Sequence, residues 1–335
     1  MNRIVGIGTS SGGIEALRVL LAALPADFPA PICIVIHTST ESPGIVPGIL
    51  SRITPLPVRY VADGDALRAG HVYVAPPDRH LLVEPGRMRV TGGPRENRFR
   101  PAIDPLFRSV AQVFGPGAVG VLLTGSLDDG TSGLDVIKRL GGIAVVQDPA
   151  DAMFPEMPKS AIDHVAVDHV VPLSAMGPLL VGLMRAPAHD KRVESIPEHV
   201  EVEVKIAKAQ NPIEAGLEQI AEPSRFACPE CHGVLLQLKD GSRIRFRCHT
   251  GHAYSIDSLV AAISEGVDES LWNAMRSLEE AGLLLQAIAQ LQTEHGADTN
   301  QLVTQAKEAQ LHADEIRGLV VRRKPLATKG ATSGG

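Results

Sequence analysis

Residues 4 to 17 read Ile-Val-Gly-Ile-Gly-Thr-Ser-Ser-Gly-Gly-Ile-Glu-Ala-Leu, an apolar run and a helix-forming run joined by a turn rich in glycine. A strand that gives way to a helix within so few residues commits the chain to an α/β beginning. Glycine admits positive φ and lets another backbone or a substrate come close. Such a turn would lift Ser10 clear of the backbone at the carboxyl end of the strand, and Gly8-Thr9-Ser10-Ser11-Gly12 fits the nucleophile-elbow pattern G-x-S-x-G. The N–H groups of Ser11, Gly12 and Gly13 would open the helix and offer donors to an oxyanion. Two other readings stay open at this point, a dinucleotide-binding loop and a plain tight turn. Against the dinucleotide loop, the third glycine falls one residue late for G-x-G-x-x-G, and the second strand ends in His37 where a ribose-binding carboxylate would stand.

From Arg3 to about Arg185 strand-like and helix-like runs alternate, which predicts a doubly wound α/β domain with a mainly parallel sheet. Strands are expected at Ile4–Ile7, Ile32–Ile36, Val72–Val74, Val119–Leu123 and Ile143–Val146. Helices are expected at Ile14–Leu24, Asp104–Phe114, Gly133–Leu140, Lys159–His164 and Met176–Met184. The short runs between Val72 and Val90, punctuated by Pro76-Pro77-Asp78 and Pro85-Gly86, read as an antiparallel hairpin insertion. Beyond Arg185, prolines and charges without a sustained apolar period predict a linker over 186–225. A small cysteine module follows at 226–255, then a helical hairpin at 256–325 with a break near His295, and a disordered tail at 326–335.

The formal net charge of -6 gives no reason to expect nucleic acid. No apolar stretch reaches the roughly 18 residues of a membrane span, and no signal-like segment precedes the first strand. The cytoplasm is therefore the expected location, and the cysteines agree with it. Cys33 lies in an apolar strand, whereas Cys228, Cys231 and Cys248 cluster as metal ligands do.

In an open parallel sheet, chemistry gathers in the loops at the carboxyl ends of the strands. His37 ends the second strand, and Val119–Leu123 runs into Thr124-Gly125-Ser126-Leu127-Asp128-Asp129-Gly130. If those strands flank the first, Ser10, His37 and an Asp converge at one rim as nucleophile, base and orienting acid. The order Ser, His, Asp differs from that of the α/β-hydrolases, so the expectation is the same chemistry on another fold.

Ile7–Leu17, Ile36-His37, Val74–His80, Arg100-Pro101-Ala102-Ile103-Asp104-Pro105-Leu106-Phe107 and Leu123-Thr124-Gly125 with Asp129-Gly130 together resemble the catalytic domain of the CheB-type chemotaxis-receptor methylesterases over about residues 2–185. The resemblance implies Ser10 as nucleophile, His37 as general base and Asp129, the aspartate followed directly by glycine, as orienter. The implied substrates are glutamate γ-methyl esters, and glutamines open to deamidation, on the cytoplasmic helices of methyl-accepting receptors. No organic cofactor is implied, and a receptor methyltransferase or signalling kinase is a candidate partner. Thr38-Ser39 and Ser126-Leu127 depart from the family's residues at the rim, which bears on substrate preference. Many members carry an N-terminal receiver domain, and with a strand starting at Arg3 none is expected ahead of it. Arg95, Arg98 and Arg100 could hold an acidic receptor helix or form a solvated run, and His80 is left unassigned. The rival functions are a small-molecule serine esterase or amidase and a non-catalytic nucleotide- or protein-binding module.

Cys228-Pro-Glu-Cys231 and Cys248-His249-Thr250-Gly251-His252, separated by a hairpin around Asp240-Gly241, read as a zinc ribbon. The ligand set is Cys228, Cys231, Cys248 and His252, with His249 and His232 as alternates. Four closed ligands would make the Zn2+ structural. This segment, with Leu271-Trp272-x-Ala274-x-Arg276, also resembles extensions attached to some of these methylesterases. The C-terminal parts are expected to recruit partners, and a cut near Arg185 is expected to leave a folded esterase.

Overall fold

The computed structural model describes residues 2–39, 44–186, 195–239, 243–295 and 297–326. From residue 327 the expected tail lies outside the described residues, as do 187–194 of the expected linker and Asp240-Gly241 of the expected hairpin turn. In chain order the first strands are β1 (Ile4–Thr9), β2 (Ile32–Ile36), β3 (Val58–Tyr60), β4 (Val72–Val74), β5 (His80–Glu84), β6 (Arg87–Thr91), β7 (Ala118–Leu122), β8 (Ile143–Gln147) and β9 (His169–Val171). Seven of them form one sheet in the order β3-β4-β2-β1-β7-β8-β9, every pair parallel. β1, β2 and β7 are buried at every position, as continuous Val/Ile runs covered on both faces should be.

The helices are α1 (Gly13–Ala22), α2 (Val46–Leu50), α3 (Ile103–Phe114), α4 (Thr131–Arg139), α5 (Glu156–His164) and α6 (Leu173–Arg185). Leu17, Leu20 and Leu21 of α1 and Met176 and Leu180 of α6 pack into one core layer. Phe107 and Val110 of α3, Leu134 and Ile137 of α4 and Ala161 of α5 fill the other. The doubly wound expectation thus agrees with the structure, and the chain reverses its direction of growth between β1 and β7.

Two details differ from expectation. Val72-Tyr73-Val74 does not belong to the antiparallel insertion. All three residues are buried, and they pair in parallel with Ile32–Ile34 and with β3, a strand the sequence did not reveal. The hairpin consists of β5 and β6 alone, turned at Pro85-Gly86.

The second difference concerns the stretch expected as a linker. It holds α7 (Glu198–Ala207), α8 (Leu217–Ile220) and the start of β10 (Ala221–Ala227). Val200 and Val204 of α7 join the core layer of α3, while Val202 and Ile206 build a small core with Leu217 and Leu238. β10 begins an antiparallel sheet with β11 (Val234–Leu238), β12 (Arg245–Cys248) and β13 (Ala253–Ser255). Residues 1–258 form one compact unit.

Glu203 of α7 explains part of the docking within that unit. It is fully buried, bonded by Arg245 Nη1 and Nη2 at 2.9 Å and by Arg247 Nη2 at 2.8 Å. Arg108 of α3, also fully buried, lies 3.8 Å from Glu203 and bonds Glu96. The network is not fully satisfied. Glu96 Oε1 sits 3.0 Å from Arg247 without the alignment of a hydrogen bond.

Residues 259–335 form the second unit. The long helix α9 (Ile256–Glu294) supplies its first arm and α10 (Asn300–Arg322) its second. Arg317 pairs with Glu279 and Arg323 with Asp268, so the arms run antiparallel. Small residues, Ala289, Ala306 and Ala313, are buried within it. Among the described residues no helix is long and apolar enough to cross a membrane.

Candidate active site

The point where strand growth reverses is where an open α/β sheet leaves a crevice at the carboxyl ends of its strands. Three loops meet there and are stitched by backbone hydrogen bonds, Ser10 N–H to the Thr124 carbonyl at 3.0 Å and His37 N–H to the Thr9 carbonyl at 3.2 Å. Gly12 takes φ of 76° at the start of α1, a conformation that glycine adopts without penalty. Gly125 is fixed by closeness instead, since a Cβ there would lie 2.8 Å from that of Ser10 and 2.1 Å from Met157 Sδ.

His37 bridges the other two groups. Its Nε2 lies 2.7 Å from Asp129 Oδ2 and its Nδ1 3.1 Å from Ser10 Oγ. Asp129 is buried, and an ionised carboxylate can only accept hydrogen bonds. The proton of the neutral ring therefore sits on Nε2, and Nδ1 presents its lone pair to the Ser10 hydroxyl. Phe99 stacks on the imidazole at 3.7 Å with 7° between planes, which fixes the ring's tilt.

Burial by itself would push the Asp129 carboxyl up. The hydrogen bonds from His37, the Ile103 N–H and Asn97 outweigh it and hold the group below the usual carboxylate range. Ile103 N–H reaches Oδ2 at 2.7 Å, while Asn97 Nδ2 and Gly130 N–H reach Oδ1 at 2.9 Å. Asp104, bonded by Asn97 and by the Gly133 N–H, goes the other way. Burial and the neighbouring Asp129 push it up to about 7. Asp128 faces away from the imidazole, accepting from Arg243 and from Ser255 Oγ at 2.7 Å each.

Of the three expected oxyanion donors, Gly13 drops out, because its N–H bonds the Ser10 carbonyl at 2.9 Å. Among the described residues the N–H groups of Ser11 and Gly12 have no protein acceptor. They sit at the positive end of α1. Beside them opens a cavity of about 460 Å³ with an apolar floor, lined by Ser10, Gly12, Ile36, His37, Ile45 and Val46.

Arg100 is not available to hold a distant helix, because its guanidinium clamps Asp78 and the carbonyls of Gly92 and Gly93. His80 is fully buried, with Nε2 on the Pro94 carbonyl and Nδ1 accepting from the Ala102 N–H. Burial lowers its pKa, so it acts as a neutral brace for the 94–102 loop. Sequence reading missed Asn97 and Phe99, whose segment shows only as a run of charges.

The cysteine module brings Cys228, Cys231, Cys248 and His252 together, with their ligand atoms all within 4.8 Å of one another. His252 Nδ1 is 3.6 Å from the sulfurs of both Cys228 and Cys248, and Cys231 Sγ is 3.6 Å from Cys248 Sγ. Zinc bonds of about 2.3 Å to sulfur and 2.0–2.1 Å to nitrogen give tetrahedron edges of about that length. Glu230 lies 3.3 Å from the other ring nitrogen of His252, the usual partner of a ligating imidazole. The donor set fits a metal ion. The alternates His249 and His232 are not in the cluster.

The sequence profile of the CheB methylesterase family matches residues 5–180. A relative from Leptospira interrogans is 40% identical over 178 residues, 53% of this chain and 92% of its own length. Protein-glutamate methylesterase/protein-glutamine glutaminase 2 of Anaeromyxobacter dehalogenans is 42% identical over 182 residues, 54% of this chain and 53% of its own length. Against such longer relatives the chain spans about half their length. The crystal structure of the Thermotoga maritima CheB methylesterase catalytic domain is similar at a TM-score of 0.53 and 32% identity, covering 55% of this chain and 99% of that one.

Proposed function

The chain belongs to the CheB methylesterase family, and on that premise we propose that Ser10, His37 and Asp129 form a triad that hydrolyses glutamate γ-methyl esters on methyl-accepting receptors. The observation that carries this reading is the single imidazole bridging Asp129 at 2.7 Å and Ser10 at 3.1 Å. His37 Nδ1 takes the Ser10 proton as Oγ attacks the ester carbonyl. The carbonyl oxygen becomes the oxyanion, met by the N–H groups of Ser11 and Gly12 and by the dipole of α1. As the intermediate collapses, Nδ1–H protonates the departing methoxide and methanol leaves. Water, deprotonated by the same nitrogen, then attacks the acyl-serine, releasing the glutamate carboxylate and restoring Ser10. A glutamine substrate follows the same course with ammonia leaving, which is the glutaminase activity in the names of the relatives.

Asp129 keeps the ring in the productive tautomer and stabilises the imidazolium formed during attack. The open, apolar cavity beside Ser10 favours a side chain presented on a protein surface over a small molecule that must be enclosed. Receptor signalling helices of this kind face the cytoplasm, and that is the location proposed here. No organic cofactor enters these steps.

The Cys228, Cys231, Cys248 and His252 cluster is proposed to hold Zn2+. With four protein ligands the ion leaves no position for water or substrate and serves to cross-link the knuckle to β12 and β13. The test of function is methanol release from methylated receptor by the full chain. Methanol release retained in Ser10→Ala would reject the triad. Hydrolysis of small esters without any attack on receptor would favour the small-molecule reading.

A further inference from the structure

Both partners of Ser10 are steadied by one loop, residues 93–101. Its Asn97 donates to Asp129 Oδ1 at 2.9 Å, and its Phe99 stacks on His37. This loop is held from the catalytic half by Asp78, His80 and Arg108, and from the C-terminal segment as well. Its backbone pairs with β13, Asn97 N–H to the Ala253 carbonyl at 2.8 Å and Ala253 N–H to the Arg95 carbonyl at 3.1 Å. The Asn97 side chain is held from the same place. Its Oδ1 accepts from the Ser255 N–H at 3.0 Å and from Ser258 Oγ at 3.1 Å.

Asn97 and Arg98 have φ of 48° and 76°. Non-glycine residues persist in that region where the surroundings over-determine them. Ser255 and Arg243 also grip Asp128, the residue next to the triad acid. Ala253, Ser255, Ser258 and Arg243 lie beyond residue 180, where the family match ends, and add to the hold that His80, Asp78 and Arg108 exert on the same loop from within it.

We propose that residues 198–239 and 243–258 are a positioning module for the triad, acting through a relay from Ser258 and Ser255 to Asn97 and from Asn97 to the Asp129 carboxylate. The inference rests on the triad reading above and deepens it. Asn97 both donates and accepts, as the relay requires. Its oxygen is spent on the C-terminal segment and its amide nitrogen on Asp129 and Asp104, so its orientation cannot flip without breaking both sets. Ser258 and Ser255 also cap α9 reciprocally, Ser258 N–H to Ser255 Oγ at 3.0 Å and Ser255 N–H to Ser258 Oγ at 2.9 Å. The start of α9 and the triad are thereby tied to one pair of hydroxyls.

The test compares the full chain with Ser258→Ala, Asn97→Ala, the double variant, Asn97→Asp and a Ser10→Ala control, measuring kcat and KM on a soluble ester. Activity of the wild-type chain over Ser10→Ala reports the triad reading by itself, and without it both readings fall. Given that activity, Ser258→Ala should lower kcat about fivefold, the order of one buried neutral hydrogen bond, with KM unchanged. Asn97→Ala should lower kcat about tenfold to a hundredfold, because its partner is charged. In the double variant the Ser258 effect should vanish, since the proposed relay runs through Asn97. Multiplicative losses, or wild-type kcat in folded Ser258→Ala, would overturn the relay. Asn97→Asp covers the case in which loss of the cap unfolds the chain. It keeps the left-handed backbone and the oxygen bound by Ser255 and Ser258, yet replaces the donor facing Asp129. Its kcat should fall at least tenfold, and wild-type kcat there would equally overturn the proposal.

Discussion

Replacing Glu203 by glutamine tests whether the C-terminal segment is integral to the unit that carries the triad. Glu203 is completely buried between Arg108, Arg245 and Arg247. Its neutralisation strips Arg108, Arg245 and Arg247 of the carboxylate they share, leaving Glu96 paired with Arg108 and Arg247. Breaking a buried ion pair on one side costs about 3–5 kcal/mol, a large share of the roughly 5–15 kcal/mol that holds a domain folded. Burial would push the Glu203 carboxyl up, but the three arginines outweigh it and hold it well below the usual range. A carboxylate depressed on folding contributes stability above its unfolded pKa, about 4.3, and loses it as pH falls through the folded value. Wild type and Glu203→Gln should therefore differ by about 3–5 kcal/mol at pH 7, and the gap should narrow progressively below about pH 4. Urea unfolding followed by tyrosine near-UV circular dichroism measures this, because Tyr60, Tyr73 and Tyr254 all lie in residues 1–258 whereas Trp272, the sole tryptophan, does not. A difference under about 1 kcal/mol at pH 7, or one that does not shrink in acid, would refute the reasoning; the first would mean that the network's missing alignments cancel its attraction.

Asp129→Asn should leave the fold intact but favour the wrong ring tautomer, lowering kcat by about 10⁴ in steady-state assays, with Ser10→Ala and His37→Ala at least as damaging. One zinc per chain is expected in protein purified without chelators. Cys248→Ser should lose it on metal analysis and, because Cys248 ends the strand paired with β13, lose esterase activity too. A chain cut after Arg185 strips Val200 and Val204 from the core layer of α3. It should aggregate or unfold at lower urea than the 1–258 unit, contrary to the independence that its composition suggests.

The parallel sheet and the convergence of Ser10, His37 and Asp129 were legible because each ends or follows an apolar run, and the topology of such sheets brings those ends together. α7 was not. Its apolar residues 200, 202, 204 and 206 alternate with charges, a period that suits no amphipathic helix. They are buried because α7 is covered on two sides, by α3 and by the small core of Leu217 and Leu238. Glu203 counted only as one charge of the expected linker, since the arginines that neutralise it come from 95 positions before it and more than 40 after. Asn97 shows the same limit. Its role exists only once Ser255, 158 positions away, is beside it, and no local pattern encodes such a meeting.

Ser255 follows Asp128 by 127 positions. A ribosome adding roughly 5–20 residues per second takes about 6–25 s to cover that distance. Throughout that interval the nascent chain already contains serine, histidine and aspartate of the triad, yet lacks the strand against which residues 93–101 are pinned. On the triad and relay proposed above, a polypeptide abandoned before residue 258 would be born with its centre assembled but unsteadied, and so with much reduced hydrolytic power.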